Sequence, residues 1–130
     1  VLALYRPGRP HDGAVESQGA MIEIRPAGKR VRVTFNNEVI AESGDALVMQ
    51  EGKYPPVYYL PRKDVKMERL IRTSHTTHCP HKGDATYYSV CNGRTARNAV
   101  WSYEQPLAQM QAIQGHLAFY PDKVDSIDCS

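Results

Sequence analysis

The sequence is short of cysteine, of net charge and of long hydrophobic runs. Its three cysteines, Cys79, Cys91 and Cys129, are odd in number and irregularly spaced, so they do not form a disulfide framework, and a reducing cytoplasm is expected. A formal net charge of +2 is too small for a nucleic-acid or anionic-membrane footprint. The opening VLALYRPGRPHDG has a four-residue apolar run with no basic residue before it, so it predicts neither a signal peptide nor a membrane span. We therefore expect a cytoplasmic protein with neither nucleic acid nor membrane as a partner.

Length and composition predict one compact domain. The chain has 130 residues, 42% hydrophobic and 23% charged, which is enough to bury a core without disulfide or metal staples. Residues 1–20 read as an N-terminal arm that carries proline and glycine, and residues 21–130 as a single domain. A monomer or a small homo-oligomer is expected.

The first half of the domain has the alternation of β-strands. In KRVRVTFNN, Val31, Val33 and Phe35 share one face. Asn36 and Asn37 tolerate positive φ and predict a two-residue turn into EVIAES. SGD offers a second turn into ALVMQ, so a β-meander in an antiparallel sheet is expected.

The second half predicts two short helices among further strands. VYYLP is a short strand, and Asp64 stands at the N-cap position of a helix in VKMERLI. ATYYSVC and RTARNAVWSY are strands joined through Asn92-Gly93, a strong hairpin signal. PLAQMQAIQG predicts the second helix, with Leu107, Met110 and Ile113 along one stripe, and HLAFY a closing strand.

Histidine and cysteine are concentrated in HTTHCPHKGDATYYSVC, whose first part is predicted to be a loop. The stretch has no Cys-x-x-Cys pair, and a strand separates Cys79 from Cys91 by roughly 15–20 Å at about 3.3 Å per residue. His75, His78 and His81 could supply three nitrogens to a metal, or they are solvated loop residues. We predict no metal site and no cofactor.

Cys79 and Lys82 admit both chemical and structural interpretations. His78 precedes Cys79 and Lys82 follows it by three residues, and nearby cations favour a nucleophilic thiolate. Alternatively, Cys79 is a small packing residue in a turn shaped by Pro80 and Gly83. Lys82 beside Gly83 could also neutralise an anionic ligand that approaches the backbone closely, or it is a surface lysine.

Aromatic side chains alternate along the two hairpin strands. Trp101 and Tyr103 share a face, while Tyr87 and Tyr88 point to opposite faces. These rings form either an ordinary core or the wall of a ligand pocket with polar tips.

Three segments together resemble a known family. YYLPRKDVKMERL, TSHTTHCPHKGDATYYSV and NAVWSYEQPLAQMQAIQGHLAFYPDKVD, over roughly Met21 to Asp125, are similar to the small bacterial and fungal family called domain of unknown function 427. The resemblance implies a mainly β, β-tent fold of two antiparallel sheets pinned at one edge, with two short helices, related in fold to the thalidomide-binding domain of cereblon. It carries over the family's motif residues as Asp64, Thr77, Cys79, Lys82, Gly83, Tyr87, Trp101 and Tyr103.

A nucleotidyltransferase-like label attached to that family has no support in the carboxylates of this chain. Nucleotidyl transfer generally needs clustered carboxylates to hold divalent metal. Here Asp64 has a capping role available and Asp84 stands alone beside a turn. Whether the protein is an enzyme stays open.

Three functions from different classes follow. The leading hypothesis is a domain that binds a small polar or anionic molecule, such as a nucleotide, in a cleft between two sheets. In that cleft Thr77, Lys82, Gly83, Tyr87, Trp101, Tyr103 and Asp64 would contact the ligand. The second is a thiol-dependent enzyme with Cys79 as nucleophile, Lys82 stabilising its thiolate and His78 or His75 transferring protons. The third is an interaction domain without chemistry. The first two require Cys79, Lys82 and Trp101 to line one solvent-open cavity.

Overall fold

A computed structural model describes residues 21–130 of the chain, so the predicted arm, residues 1–20, lies outside the described residues. The described part is mainly β, as predicted. The strands are β1 (Ile22–Pro26), β2 (Val31–Phe35), β3 (Glu38–Ser43), β4 (Leu47–Glu51), β5 (Val57–Tyr59), β6 (Leu70–Cys79), β7 (Gly83–Cys91), β8 (Thr95–Ser102), β9 (Ala118–Phe119) and β10 (Ser126–Cys129).

The described strands form three antiparallel sheets, where two were expected. Their orders are β1-β4-β5, β10-β2-β3 and β6-β7-β8-β9. The predicted meander is wrong at one step, because β4 does not pair with β3 and pairs instead with β1 and β5. The turn at SGD therefore carries the chain from one sheet into another.

The β2–β3 hairpin follows the sequence prediction. Val31, Val33 and Phe35 are buried on one face of β2. Asn36 and Asn37 have φ of 49° and 65°, the left-handed region that asparagine tolerates better than most residues. The predicted pairing of β7 with β8 through Asn92-Gly93 is also confirmed.

The first predicted helix is replaced by two 3-10 turns, Arg62–Asp64 and Met67–Arg69. Asp64 ends the first turn and caps nothing, so its N-cap assignment is wrong. Between the turns Val65 is extended, with φ −118° and ψ 136°, and forms a bridge to Ala41 at the edge of β3. That tertiary contact interrupts the helix.

The second predicted helix is a 3-10 segment, Ala108–Ile113, with a kink at Met110. Met110 and Ile113 are buried as the stripe predicted, whereas Leu107 is 38% exposed. The apolar stripe in the sequence therefore predicted two of the three core positions correctly.

The histidine-rich stretch is a strand and not a loop. Residues 75–79 belong to β6, whose last pair with β7 joins Cys79 to Gly83. β6 lies at the edge of its sheet. Between Leu70 and Cys79 its residues are exposed or half-buried on both faces, so neither face needs the apolar residues of a strand that packs against a core.

The four-stranded sheet contributes to two apolar clusters with alternate residues. Tyr88 and Val100 join the side chains of β2 and β3 in one cluster. Tyr87 and Trp101 join Met49 of β4 and the neighbouring β5 in the other. Because successive strand residues point to opposite faces, this sheet is covered on both sides. No helix within residues 21–130 is long and apolar enough to cross a membrane.

Candidate functional site

The turn between β6 and β7 directs Lys82 into the protein. The backbone N–H of Lys82 donates to the Cys79 carbonyl at 3.2 Å, and the Lys82 carbonyl accepts from Leu107 N–H at 3.0 Å. Gly83 has φ +112°, and a Cβ there would lie 3.4 Å from the backbone of Pro106 and Leu107. The close approach of the backbone of Pro106 and Leu107 therefore favours glycine at position 83, next to the buried lysine.

Lys82 forms a buried ion pair with a residue that the sequence did not indicate. Its Nζ lies 2.7 Å from Glu51 Oε1, and the two side chains are 2% and 8% exposed. Cys79 Sγ lies 3.9 Å from the same Nζ. Burying an ammonium is costly unless an anion compensates it, and Glu51 at the end of β4 meets that requirement.

A group of buried aromatic side chains lies between the four-stranded sheet and β5. Trp101 Nε1 donates to Tyr59 OH at 3.2 Å, and the indole packs against the Tyr120 ring at a centroid distance of 4.5 Å. Thr77 Oγ1 and Tyr87 OH lie 3.1 Å apart. Burial raises the pKa of both the Tyr59 and the Tyr87 phenol well above its usual range. Both phenols therefore stay neutral and available for hydrogen bonds.

A cavity of about 240 Å³ lies where strands of all three sheets meet. Its lining is mostly apolar, and Trp101 forms part of the wall. The lining residues are Val33, Pro55, Pro56, Val57, Tyr58, Leu60, Trp101, Phe119, Pro121 and Ile127.

The expected solvent-open cavity shared by thiol, ammonium and indole is absent from the described residues. Cys79, Lys82 and Trp101 are 2%, 1% and 2% exposed. The cavity reaches Trp101, but neither Cys79 nor Lys82 belongs to its lining. Trp101 thus lines the cavity, while its partner Tyr59 is buried in the apolar cluster that both residues share.

The remaining predicted site residues divide into two groups. Tyr87, Trp101 and Tyr103 share one cluster, and the predicted common face of Trp101 and Tyr103 is confirmed. Asp64 lies apart, where its carboxylate accepts from Ser43 Oγ at 2.6 Å and from Lys63 Nζ at 3.3 Å. The Ser43 hydrogen bond is the main reason that the pKa of Asp64 falls below its usual value.

The three histidines of the stretch do not converge. His75 packs against the Tyr87 ring at 4.5 Å, and His78 Nδ1 lies 2.7 Å from Asp84 Oδ1. Within residues 21–130 no group of three histidine, cysteine or acidic side chains is placed to hold a metal ion.

Sequence reasoning missed Glu51 and Tyr59. Nothing near Glu51 in sequence marks it as the partner of a lysine 31 positions away. The run KYPPVYYL did carry a signal for the cavity, since two prolines beside aromatic residues form a rigid apolar rim.

Comparison with protein-family models gives a match over nearly all of the described residues. A family model described as a domain of unknown function, DUF427, matches residues 23–129. No curated protein matches the chain.

Proposed function

Since the chain belongs to the DUF427 family, whose description names no activity, we propose from the geometry that it is a small-molecule binding domain. The ligand places a ring in the cavity against Trp101. The observation that carries this proposal is a mostly apolar cavity walled by a fixed indole and rimmed by prolines.

The size of the cavity defines the class of ligand. An apolar cavity of about 150 Å³ holds one benzene ring. The cavity beside Trp101 measures about 240 Å³, which suits a substituted ring or a fused pair of rings. Pro55, Pro56 and Pro121 at the mouth are exposed, so a polar substituent on the ligand would remain in water.

The wall is rigid before a ligand arrives. Tyr59 and Tyr120 hold the indole from two directions, by a hydrogen bond and by ring packing. A preformed site avoids the cost of ordering side chains on binding. This supports binding by shape and apolar contact.

The prediction that Lys82 supplies charge to a polar or anionic ligand stays a prediction. Its ammonium is already compensated by Glu51 at 2.7 Å, so the geometry supports recognition of the ligand's ring more than recognition of its charge. The ligand roles predicted for Thr77, Gly83 and Asp64 likewise stay predictions.

Thermal unfolding with a graded set of ring compounds tests the proposal. Cyclohexanol, benzyl alcohol and naphthol would be compared at equal concentrations. A compound at ten times its Kd stabilises the folded state by about 1.4 kcal/mol, which raises the Tm of a domain of this size by roughly 4–8 °C.

A cavity-filling variant makes the test specific. Val57→Phe places a phenyl ring in the space that the ligand would occupy and should abolish the rise in Tm. Ile71→Phe, at a side chain 57% exposed on β6, is the matched control and should keep it. The proposal fails if no compound raises the Tm, or if Val57→Phe responds as the control does.

A second candidate, a thiol-dependent enzyme, is favoured by the 3.9 Å between Lys82 Nζ and Cys79 Sγ. Thiol enzymes use a neighbouring cation in this way to stabilise a thiolate. The candidate requires Cys79 in the folded protein to react with iodoacetamide faster than the exposed Cys129. Faster labelling of Cys129 would leave Cys79 as a packing residue.

A further inference from the structure

A second pocket lies on the four-stranded sheet, away from the cavity beside Trp101. It forms where the pairing of β7 with both of its neighbours is irregular. The register with β6 shifts between Arg72 and Thr76, and the register with β8 shifts between Tyr88 and Val90. The pocket is wide, about 490 Å³, and is lined by Thr73, Ser74, His75, Thr76, Arg97 and Asn98. Such bulges redirect side chains and are common beside functional sites.

Hydrogen bonds fix the floor of this pocket. Thr73 Oγ1 donates to Asn98 Oδ1 at 2.7 Å and accepts from the backbone N–H of His75 at 3.2 Å. The backbone N–H of Asn98 donates to Ser89 Oγ at 3.1 Å, and Asn98 has φ +50°. Because the Asn98 Oδ1 accepts from Thr73, the NH2 group of the Asn98 side-chain amide is directed away from Thr73.

The His75 ring is also held in place. It packs against the Tyr87 ring at 4.5 Å with an interplanar angle of 66°. Two side chains of the lining, His75 and Asn98, are therefore positioned before any ligand binds.

The chemistry of the lining is one-sided. It offers a guanidinium, an imidazole, an amide and the hydroxyls of Ser74 and Thr76, since the Thr73 hydroxyl already donates to Asn98, and the lining includes no carboxylate. None of the ion pairs formed within residues 21–130 uses Arg97. A set of donors around an uncompensated cation suits an oxyanion, which accepts from all of them.

We propose that this pocket binds a small tetrahedral oxyanion of the phosphate or sulfate class, either free or as a monoester of a small molecule. The planar guanidinium of Arg97 donates two hydrogen bonds to adjacent oxygens, an arrangement that lysine does not reproduce. The hydroxyls of Ser74 and Thr76 donate to the remaining oxygens.

Titration followed by backbone NMR tests the site. Inorganic phosphate, sulfate and glycerol phosphate would be added at constant ionic strength set with chloride, because exposed charges are screened by salt. Saturable shifts confined to residues 73–76 and 97–98 are expected. Equal affinity for phosphate and its monoester identifies a free-ion site, whereas tighter binding of glycerol phosphate identifies the ester.

Matched variants separate a specific site from general charge. Arg97→Gln should weaken binding about tenfold or more, since charge-assisted hydrogen bonds are lost. Arg97→Lys should restore part of the affinity. Arg25→Gln removes the same charge from β1, in another sheet, and should change nothing.

The proposal is overturned if the shifts do not saturate, or if Arg97→Gln and Arg25→Gln behave alike. Should Arg97→Gln lose the spectrum of the folded protein, Thr73→Val provides the second test. That variant removes the hydroxyl that holds Asn98 and should also weaken phosphate binding.

Discussion

The buried Lys82–Glu51 pair gives the sharpest stability prediction. Lys82→Met keeps the length of the side chain but removes the ammonium, which leaves the Glu51 carboxylate buried without its partner at 2.7 Å. The double variant Lys82→Met with Glu51→Leu removes both charges. Lys66→Met is the control, because Lys66 pairs with Glu38 at 3.2 Å while 47% exposed.

The magnitude follows from burial. With side chains 2% and 8% exposed, water cannot screen the charge left behind. Breaking such a pair from one side costs about 3–5 kcal/mol, whereas replacing both partners by apolar groups is often close to neutral. The control should lose only about 0–1 kcal/mol. Because small domains are stable by about 5–15 kcal/mol, the single variant loses a large share of its stability.

Urea unfolding followed by far-ultraviolet circular dichroism measures these differences. Lys82→Met should unfold at a much lower urea concentration than the wild type, and adding Glu51→Leu should recover most of the loss. A cost for Lys82→Met no greater than that for Lys66→Met would refute the reasoning, as would a double variant no more stable than the single one.

Three further predictions concern single residues. Hydrogen bonds from Asn92 and from neighbouring cations lower the pKa of Glu38 to about 2. The resulting stability is present above the unfolded pKa, near 4.3, and is lost as pH falls towards 2. Glu38→Gln should therefore flatten the acid limb of urea midpoints measured against pH. Asn37, at φ 65°, should tolerate glycine, whereas Asn37→Val should cost about 1–2 kcal/mol in urea unfolding. Tyr59→Phe leaves the buried N–H of Trp101 without its acceptor and should cost about 1–3 kcal/mol by the same assay.

The sequence predicts local structure where one physical signal dominates. Alternation identified β2, and two asparagines suited to positive φ identified the turn that follows it. The edge strand β6 was missed because an edge exposed on both faces has no alternation to read. The helix after Asp64 failed because a tertiary bridge at Val65 outweighs helix propensity.

The candidate site depends on contacts between distant parts of the chain. Neighbouring residues suggested that Lys82 and Cys79 lie close together, and the structure places Nζ and Sγ 3.9 Å apart. The partner of Lys82 comes from β4, which belongs to another sheet, so only the fold reveals it. The same holds for the cavity, whose walls come from three sheets.

Fluorescence of Trp101 tests the central claim most directly, because it is the only tryptophan in the chain. A bromine atom quenches indole emission on contact. 4-Bromobenzyl alcohol should quench the emission saturably in the wild type and not in Val57→Phe. Acrylamide should quench it weakly, since Trp101 is 2% exposed. Quenching by the brominated ring that does not saturate, or that persists unchanged in Val57→Phe, would contradict a ring-binding cavity against this indole.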